Sequence, residues 1–204
     1  RNGLYRFNGT SFRLFKHIAS DSFSLPANEV NFCFQDRDGD YWVGVSKFGL
    51  YRYDDETEHF TPWKNKNIDQ IDVAKLYNVI APFEDSHGQL WFSAATRGII
   101  RINKKEHTVR LFNVCDHFNA VDLYRSCLWV SQFAEAGDGW FWLCSNDGLI
   151  HFNPSNGMFK VYRNGNEFTS YLQDSEGQGW IATWGGGLKT FDLASNSWKQ
   201  YTWT

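Results

Sequence analysis

A Gly-x-x-Trp element recurs four times at nearly constant spacing, and this period restricts the fold more than any other property of the chain. The copies are Gly39…Trp42, Gly88…Trp91, Gly139…Trp142 and Gly177…Trp180. Seven residues after each tryptophan, six in the third copy, stands Gly followed by Leu or Ile: Gly49-Leu50, Gly98-Ile99, Gly148-Leu149 and Gly187-Leu188. Four residues after that glycine comes an apolar residue and then Asp or Asn: Tyr53-Asp54, Ile102-Asn103, Phe152-Asn153 and Phe191-Asp192. Each copy closes on a bulky pair, Phe60/Trp63, Val109/Phe112, Phe159/Tyr162 and Trp198/Tyr201. The chain also opens inside the pattern, because Gly3-Leu4, Phe7-Asn8 and Phe12/Phe15 match the second half of a copy.

Each copy reads as four short antiparallel strands, A to D. Strand A begins nine residues before the glycine, at Val30, Val79, Val130 and Phe168. A tight turn then uses the glycine's tolerance of positive φ. Apolar residues alternate along B and C, as in strands whose faces pack on neighbouring sheets. Such a sheet has two apolar faces and cannot stand alone; radial stacking of sheets, the β-propeller, buries both. The predicted fold is therefore all-β, a β-propeller of four complete blades (30–63, 79–112, 130–162 and 168–201) preceded by a half blade of strands C and D at 1–16. Pro62 falls in strand D and Pro82 in strand A, which suits those strands as sheet edges, where a missing N–H is harmless. Trp42, Trp91, Trp142 and Trp180 are expected as structural blade core.

Composition narrows the function classes. The formal net charge is −3 and charged residues make up 21% of 204, so there is no electrostatic case for nucleic acid or an anionic membrane. No apolar run approaches the length of a membrane span. The opening Arg1-Asn2-Gly3-Leu4-Tyr5 lacks the basic-then-apolar order of a signal peptide. The four cysteines include no Cys-x-x-Cys, which argues against zinc. Cys115 and Cys127 are 12 residues apart and fit a disulfide in an oxidising compartment or two free thiols; spacing alone leaves both open.

Written as D-x-x-G-x-x-W-x-x-[ST]-x-x-x-G-[LI]-x-x-[FY]-[DN], the motif resembles the two-component regulator propeller repeat. The fullest matches are Asp36-Arg37-Asp38-Gly39-Asp40-Tyr41-Trp42-Val43-Gly44 with Gly49-Leu50-Tyr51-Arg52-Tyr53-Asp54, and Asp85-Ser86-His87-Gly88-Gln89-Leu90-Trp91. The third copy departs, with Ala136 in place of the first Asp and a shortened B–C connection. The resemblance implies the periplasmic or extracellular sensor of a hybrid two-component system of the kind found in gut Bacteroidetes. It also implies an oligosaccharide ligand, with a membrane span and histidine kinase elsewhere in the parent chain. The alternative is a structural or protein-interaction propeller of a cell-surface or secretion assembly. The N-terminal half blade lacks strands A and B, and after Tyr201 only Thr202-Trp203-Thr204 follow. The expected partners are thus the remaining blades of a larger ring, seven-bladed by resemblance, or another copy.

Signals of catalysis are weak, and the segment is expected not to be an enzyme. Asp36, Asp38 and Asp40 surround Gly39, but an EF-hand needs glycine at the sixth position and glutamate at the twelfth; these are polar turns. The hairpins also differ from the Asp-box of sialidases, which places Asp two residues before the glycine, where Arg37, Ser86, Gly137 and Ser175 stand. Glu84 and Asp85 are adjacent in a strand and point to opposite faces. No Ser-His-Asp or Cys-His set assembles. Trp184-Gly185-Gly186-Gly187 lacks the following helix of a phosphate loop. No metal and no cofactor is expected.

Strand order puts the B–C and D–A connections at one end of the blades. From the strand-D aromatic to the next strand A the steps are 15, 16, 18 and 6 residues (30−15, 79−63, 130−112, 168−162), so three connections carry insertions. Long loops on a rigid scaffold are where binding residues concentrate. Ligand-binding candidates are Lys47, Phe48, Arg97, Asn146, Asp147 and Trp184 from the B–C loops, with Tyr77, His117 and Tyr124 from the insertions. Trp184 leads, because the glycines beside it leave room for a ligand to approach.

Overall fold

The computed structural model describes residues 2–66, 71–73, 76–94, 97–113 and 128–201. They form eighteen strands, with no helix among the described elements. Strands β1 (Leu4–Phe7) and β2 (Phe12–Phe15) make a two-stranded hairpin. The first four-stranded sheet is β3 (Val30–Gln35), β4 (Tyr41–Val45), β5 (Gly49–Asp54) and β6 (His59–Pro62). The second is β7 (Val79–Glu84), β8 (Leu90–Ala94), β9 (Gly98–Asn103) and β10 (Thr108–Phe112). The third is β11 (Val130–Glu135), β12 (Phe141–Ser145), β13 (Gly148–Phe152) and β14 (Phe159–Tyr162). The fourth is β15 (Phe168–Gln173), β16 (Gly179–Thr183), β17 (Gly187–Asp192) and β18 (Ser197–Tyr201). Every sheet is an antiparallel meander in chain order, as the repeat predicts.

The chain divides into two compact units, 1–113 and 114–204. In the first, β1–β2 covers one face of the first sheet: Leu4 and Phe15 pack with Val43, Val45, Tyr53 and Phe60. The opposite face, carrying Trp42, Leu50 and Trp63, meets Val79, Leu90, Phe92 and Ile100 of the second sheet. In the second unit, Trp142, Cys144 and Tyr162 of the third sheet pack on Tyr171, Ile181 and Phe191 of the fourth. Alternation along β4 thus sends Trp42 to one neighbour and Val43 to the other, as period-2 strands require.

Trp42, Trp91 and Trp142 are buried, at 0%, 1% and 7% exposure. Trp180 differs and is half-buried. Ile181 and Phe191 take the packed face of the fourth sheet, so Trp180 lies on the other face, where it meets the Tyr201 ring at 5.3 Å.

The Asp of the motif has a physical reason beyond turn propensity. Asp36 Oδ1 accepts the N–H groups of Asp38 (3.1 Å) and Asp40 (2.9 Å), while Oδ2 accepts Trp42 Nε1–H at 2.8 Å. Asp85 and Asp174 repeat this with Trp91 and Trp180, each at 2.8 Å. One carboxylate therefore closes the A–B turn and satisfies an indole N–H on its way into the core.

Each first strand also carries a β-bulge near its start, at Val30/Phe32, Ile80/Phe83, Val130/Gln132 and Phe168/Ser170. In β7 the irregularity spans Ala81 (φ 51°) and Pro82, so the proline sits on an edge strand where the ladder is already interrupted. The extra residue of two bulges reaches the neighbouring sheet: Asn31 Nδ2 donates to Val79 O at 3.2 Å, and Ser131 Oγ donates to Phe168 O at 2.9 Å.

Candidate functional site

In the first, third and fourth sheets the B–C loop is anchored to the residue preceding strand A of the same sheet. Ser46 N–H donates to Glu29 O (2.9 Å), Asn146 N–H to Trp129 O (3.1 Å) and Trp184 N–H to Glu167 O (2.8 Å). Side chains at these positions thus emerge from a backbone tied at both ends, which suits a binding surface.

In the first unit the structure brings two of the expected residues together. Lys47 donates its backbone N–H to Tyr77 O at 2.6 Å, and its ammonium sits 5.7 Å from the Tyr77 ring centroid. Lys47 holds a positive φ of 68° to make this turn. Phe48, Tyr77 and Arg97 are exposed on the same end of the sheets.

In the second unit Trp184 stands 75% exposed. The glycines beside it do not all act as the sequence suggests. A Cβ on Gly185 would meet nothing within 4 Å, so this position is open. Gly185 also has φ +74°, the turn conformation that Lys47 adopts in the first sheet. Gly186 is small for packing instead, since a Cβ there would lie 2.7 Å from both Asn166 Oδ1 and Thr183 Oγ1. Asn166 in turn accepts from Lys189 Nζ, whose second acceptor is Asn164 O at 3.3 Å. Lys189 is 1% exposed, and its desolvation lowers its pKa below the usual lysine value.

Asp147 is engaged by Arg163, whose Nε lies 3.1 Å from both carboxylate oxygens. Asn146 Oδ1 accepts the Trp129 N–H at 2.8 Å and acts locally as a cap. Trp129, absent from the sequence-based candidates, is 42% exposed. Its signal was legible: it precedes strand A, where the other copies carry Glu29, Asn78 and Glu167. His117, Tyr124, Cys115 and Cys127 lie outside the described residues.

A cavity of about 650 Å³ opens at the opposite end of the first sheet, beside the A–B and C–D turns, with Asp40, Arg52, Asp54, Glu56 and Trp63 on its walls. Arg52 pairs with Asp40 there. Beside it, Lys104 Nζ donates to Asp36 Oδ2 (2.8 Å), Asp38 Oδ2 (2.7 Å) and Glu84 Oε1 (3.3 Å), joining the first and second sheets. Glu84 Oε2 accepts the Arg37 N–H at 2.7 Å, while Asp85 serves its own turn and Trp91, so the adjacent carboxylates do separate work. No cluster of potential metal ligands occurs among the described residues. No helix among them is long and apolar enough to cross a membrane.

No family model matches the chain, and no curated protein does. Solved structures do. The extracellular domain assigned to the hybrid two-component system BT3049 of B. thetaiotaomicron aligns with a TM-score of 0.78 and 23% identity over 97% of this chain and 27% of that one. The extracellular domain assigned to the system BT4673 of the same organism gives 0.72 and 19% over 100% and 28%. Virginiamycin B lyase from Staphylococcus aureus gives 0.60 and 14% over 87% and 56%. The chain thus spans about a quarter of the length of the first two, by the 27% and 28% coverage. These identities establish architecture alone: the chain is a run of four-stranded β-propeller blades preceded by a two-stranded hairpin.

Proposed function

We propose that the segment is a non-catalytic, ligand-binding part of an extracytoplasmic sensor propeller, with the signalling kinase elsewhere in the parent chain. Its likeness to two extracellular domains of two-component systems supports the sensor reading and a periplasmic or extracellular location. The lyase among its neighbours is a reminder that this fold also hosts catalysis, so the argument rests on the surface. The proposed ligand is an oligosaccharide bound at the B–C/D–A end. One observation carries this: Trp184 presents 75% of its surface beside the open position at Gly185, on a loop whose backbone is pinned to Glu167. A flat ring held on a rigid loop suits stacking against a sugar face. Trp129 and the Asp147–Arg163 pair supply a second aromatic and polar groups on the same end of that unit. On the first unit, Lys47 packs on Tyr77, and Phe48 and Arg97 are exposed.

Titration calorimetry with a panel of neutral and acidic oligosaccharides tests the reading. Binding that weakens at least tenfold in Trp184→Ala supports it; no heat with any glycan, or unchanged affinity in the variant, refutes it.

A second reading, an assembly propeller, is favoured by the β1–β2 hairpin. Tyr5, Phe7 and Phe12 are 53%, 56% and 70% exposed, and β1 has no strand partner beyond β2 among the described residues. An edge of this kind accepts an added strand from the remaining blades of the parent chain or from another copy. Concentration-dependent association in analytical ultracentrifugation, abolished by Phe12→Lys, is the expected sign.

A further inference from the structure

The residue paired in register with the B-strand tryptophan changes along the chain: arginine in the first two blades, His151 in the third and Thr190 in the fourth. In the first blade Trp42 pairs in register with Arg52, whose guanidinium lies 5.5 Å from the indole centroid and pairs with Asp40 of the A–B turn. In the second blade Trp91 pairs with Arg101 at 5.7 Å. Each indole is thus covered by a permanent cation. In the third blade the residue opposite Trp142 is His151.

The His151 ring stacks on Trp142 at 4.3 Å and on Trp140 at 4.6 Å. Its Nε2 is buried and has no hydrogen-bond partner. The closest carboxylate, Asp138 Oδ2, is 3.6 Å away in the A–B turn, where position 136 is Ala and the turn is held by Ala136 N–H to Trp140 O (2.8 Å) and by Trp140 N–H to Asp138 Oδ1 (2.9 Å). The turn therefore has neither the Asp-to-indole bond of the other three copies nor a closed ion pair.

We propose that His151 is a proton switch: on protonation its Nε2–H closes onto Asp138, and the imidazolium over Trp140 and Trp142 reproduces the cation–indole–carboxylate arrangement that Arg52, Trp42 and Asp40 hold permanently in the first blade. The proton comes from solvent. It gives the buried nitrogen a partner and ties the 136–140 turn to β13, a tie absent at neutral pH.

The surrounding charges set the range. Burial lowers the His151 pKa below 6.5, Asp138 opposes this, and Lys160, its register partner on β14, adds to the lowering. The other titratable groups packed around Trp142 are Cys144 on β12, Tyr162 on β14 and Tyr171 from the fourth blade. Burial pushes Cys144 and Tyr171 up to about 12, so these two are neutral throughout. The switch operates on the acid side of 6.5. Because the folded-state pKa lies below the unfolded one, acidification through this range also lowers global stability while it closes the turn.

The test is an NMR titration of the His151 ring, read together with backbone amide exchange at 136–140. The expected midpoint lies below 6.5, with exchange in the turn slowing at the same midpoint. Asp138→Asn, at an exposed site, should lower proton affinity about three- to tenfold and abolish the slowing. His151→Arg should hold the turn closed at every pH, judged on protein whose circular dichroism matches the parent. A midpoint unmoved by Asp138→Asn, or turn exchange independent of His151 protonation, overturns the proposal.

Discussion

Lys104→Met removes the charge that joins the first two blades. Lys104 Nζ touches Asp36, Asp38 and Glu84, whose side chains are 0%, 68% and 6% exposed, and is itself 12% exposed. Exposed Asp38 contributes little, so the loss is carried by two buried carboxylates left without their cation. Deleting one member of a buried ionic set costs about 3–5 kcal/mol. Asp36 keeps donors from Asp38, Asp40 and Trp42, and Glu84 keeps the Arg37 N–H, which places the expected loss near the lower figure, about 3 kcal/mol. Urea unfolding measures it directly, and a double cycle with Glu84→Gln should show about 1–2 kcal/mol of coupling. The pH profile gives an independent check. These contacts lower the Asp36 pKa below its ordinary 3.8, so its contribution is present above that value and lost as pH falls through the folded pKa. They raise the Lys104 pKa above 10.5, so its contribution persists below that value and is lost only at higher pH. The parent should therefore lose stability below about pH 4 more steeply than Lys104→Met. A loss under about 0.5 kcal/mol, or strict additivity with Glu84→Gln, would show that the cluster behaves as solvated surface charge and refute the reasoning.

Asp85→Ala strands the buried Trp91 N–H and two turn amides and should cost about 2–4 kcal/mol, whereas Asp174→Ala, beside half-buried Trp180, should cost about half as much; thermal unfolding compares them. Gly44→Ala drives a methyl into the Phe32 ring and should cost about 1–3 kcal/mol in the same assay. Trp184→Ala should leave the unfolding midpoint within about 0.5 kcal/mol of the parent while removing glycan heat in calorimetry.

Much of the architecture was legible because blade geometry is written at short range. Turn glycine, B-strand tryptophan and C-strand Gly-Leu are all separated by fewer residues than one blade contains. The carboxylate-to-indole bond lies in the same window, six residues from Asp36 to Trp42, yet composition alone presents it as a polar turn. Lys104 and Asp36 are 68 residues apart, and nothing local marks them as partners. The exposure of Trp180 was hidden because all four tryptophans obey one pattern and only the neighbouring sheet decides which is covered. The site was less legible. Trp184 and Tyr77 were visible as aromatics in variable loops, but Gly186 is explained by Asn166, a contact that spacing does not encode.

The bulged first strands have an evolutionary consequence. Asn31 and Ser131 hold the next blade by a main-chain carbonyl, an atom that every residue provides. A blade carrying its own donor can therefore dock on a duplicated neighbour without any matching side chain having first arisen there. Polar joints of this kind make blades interchangeable parts, and repertoires of such proteins can grow by copying genetic segments while the loops diverge at the end where the joints are made.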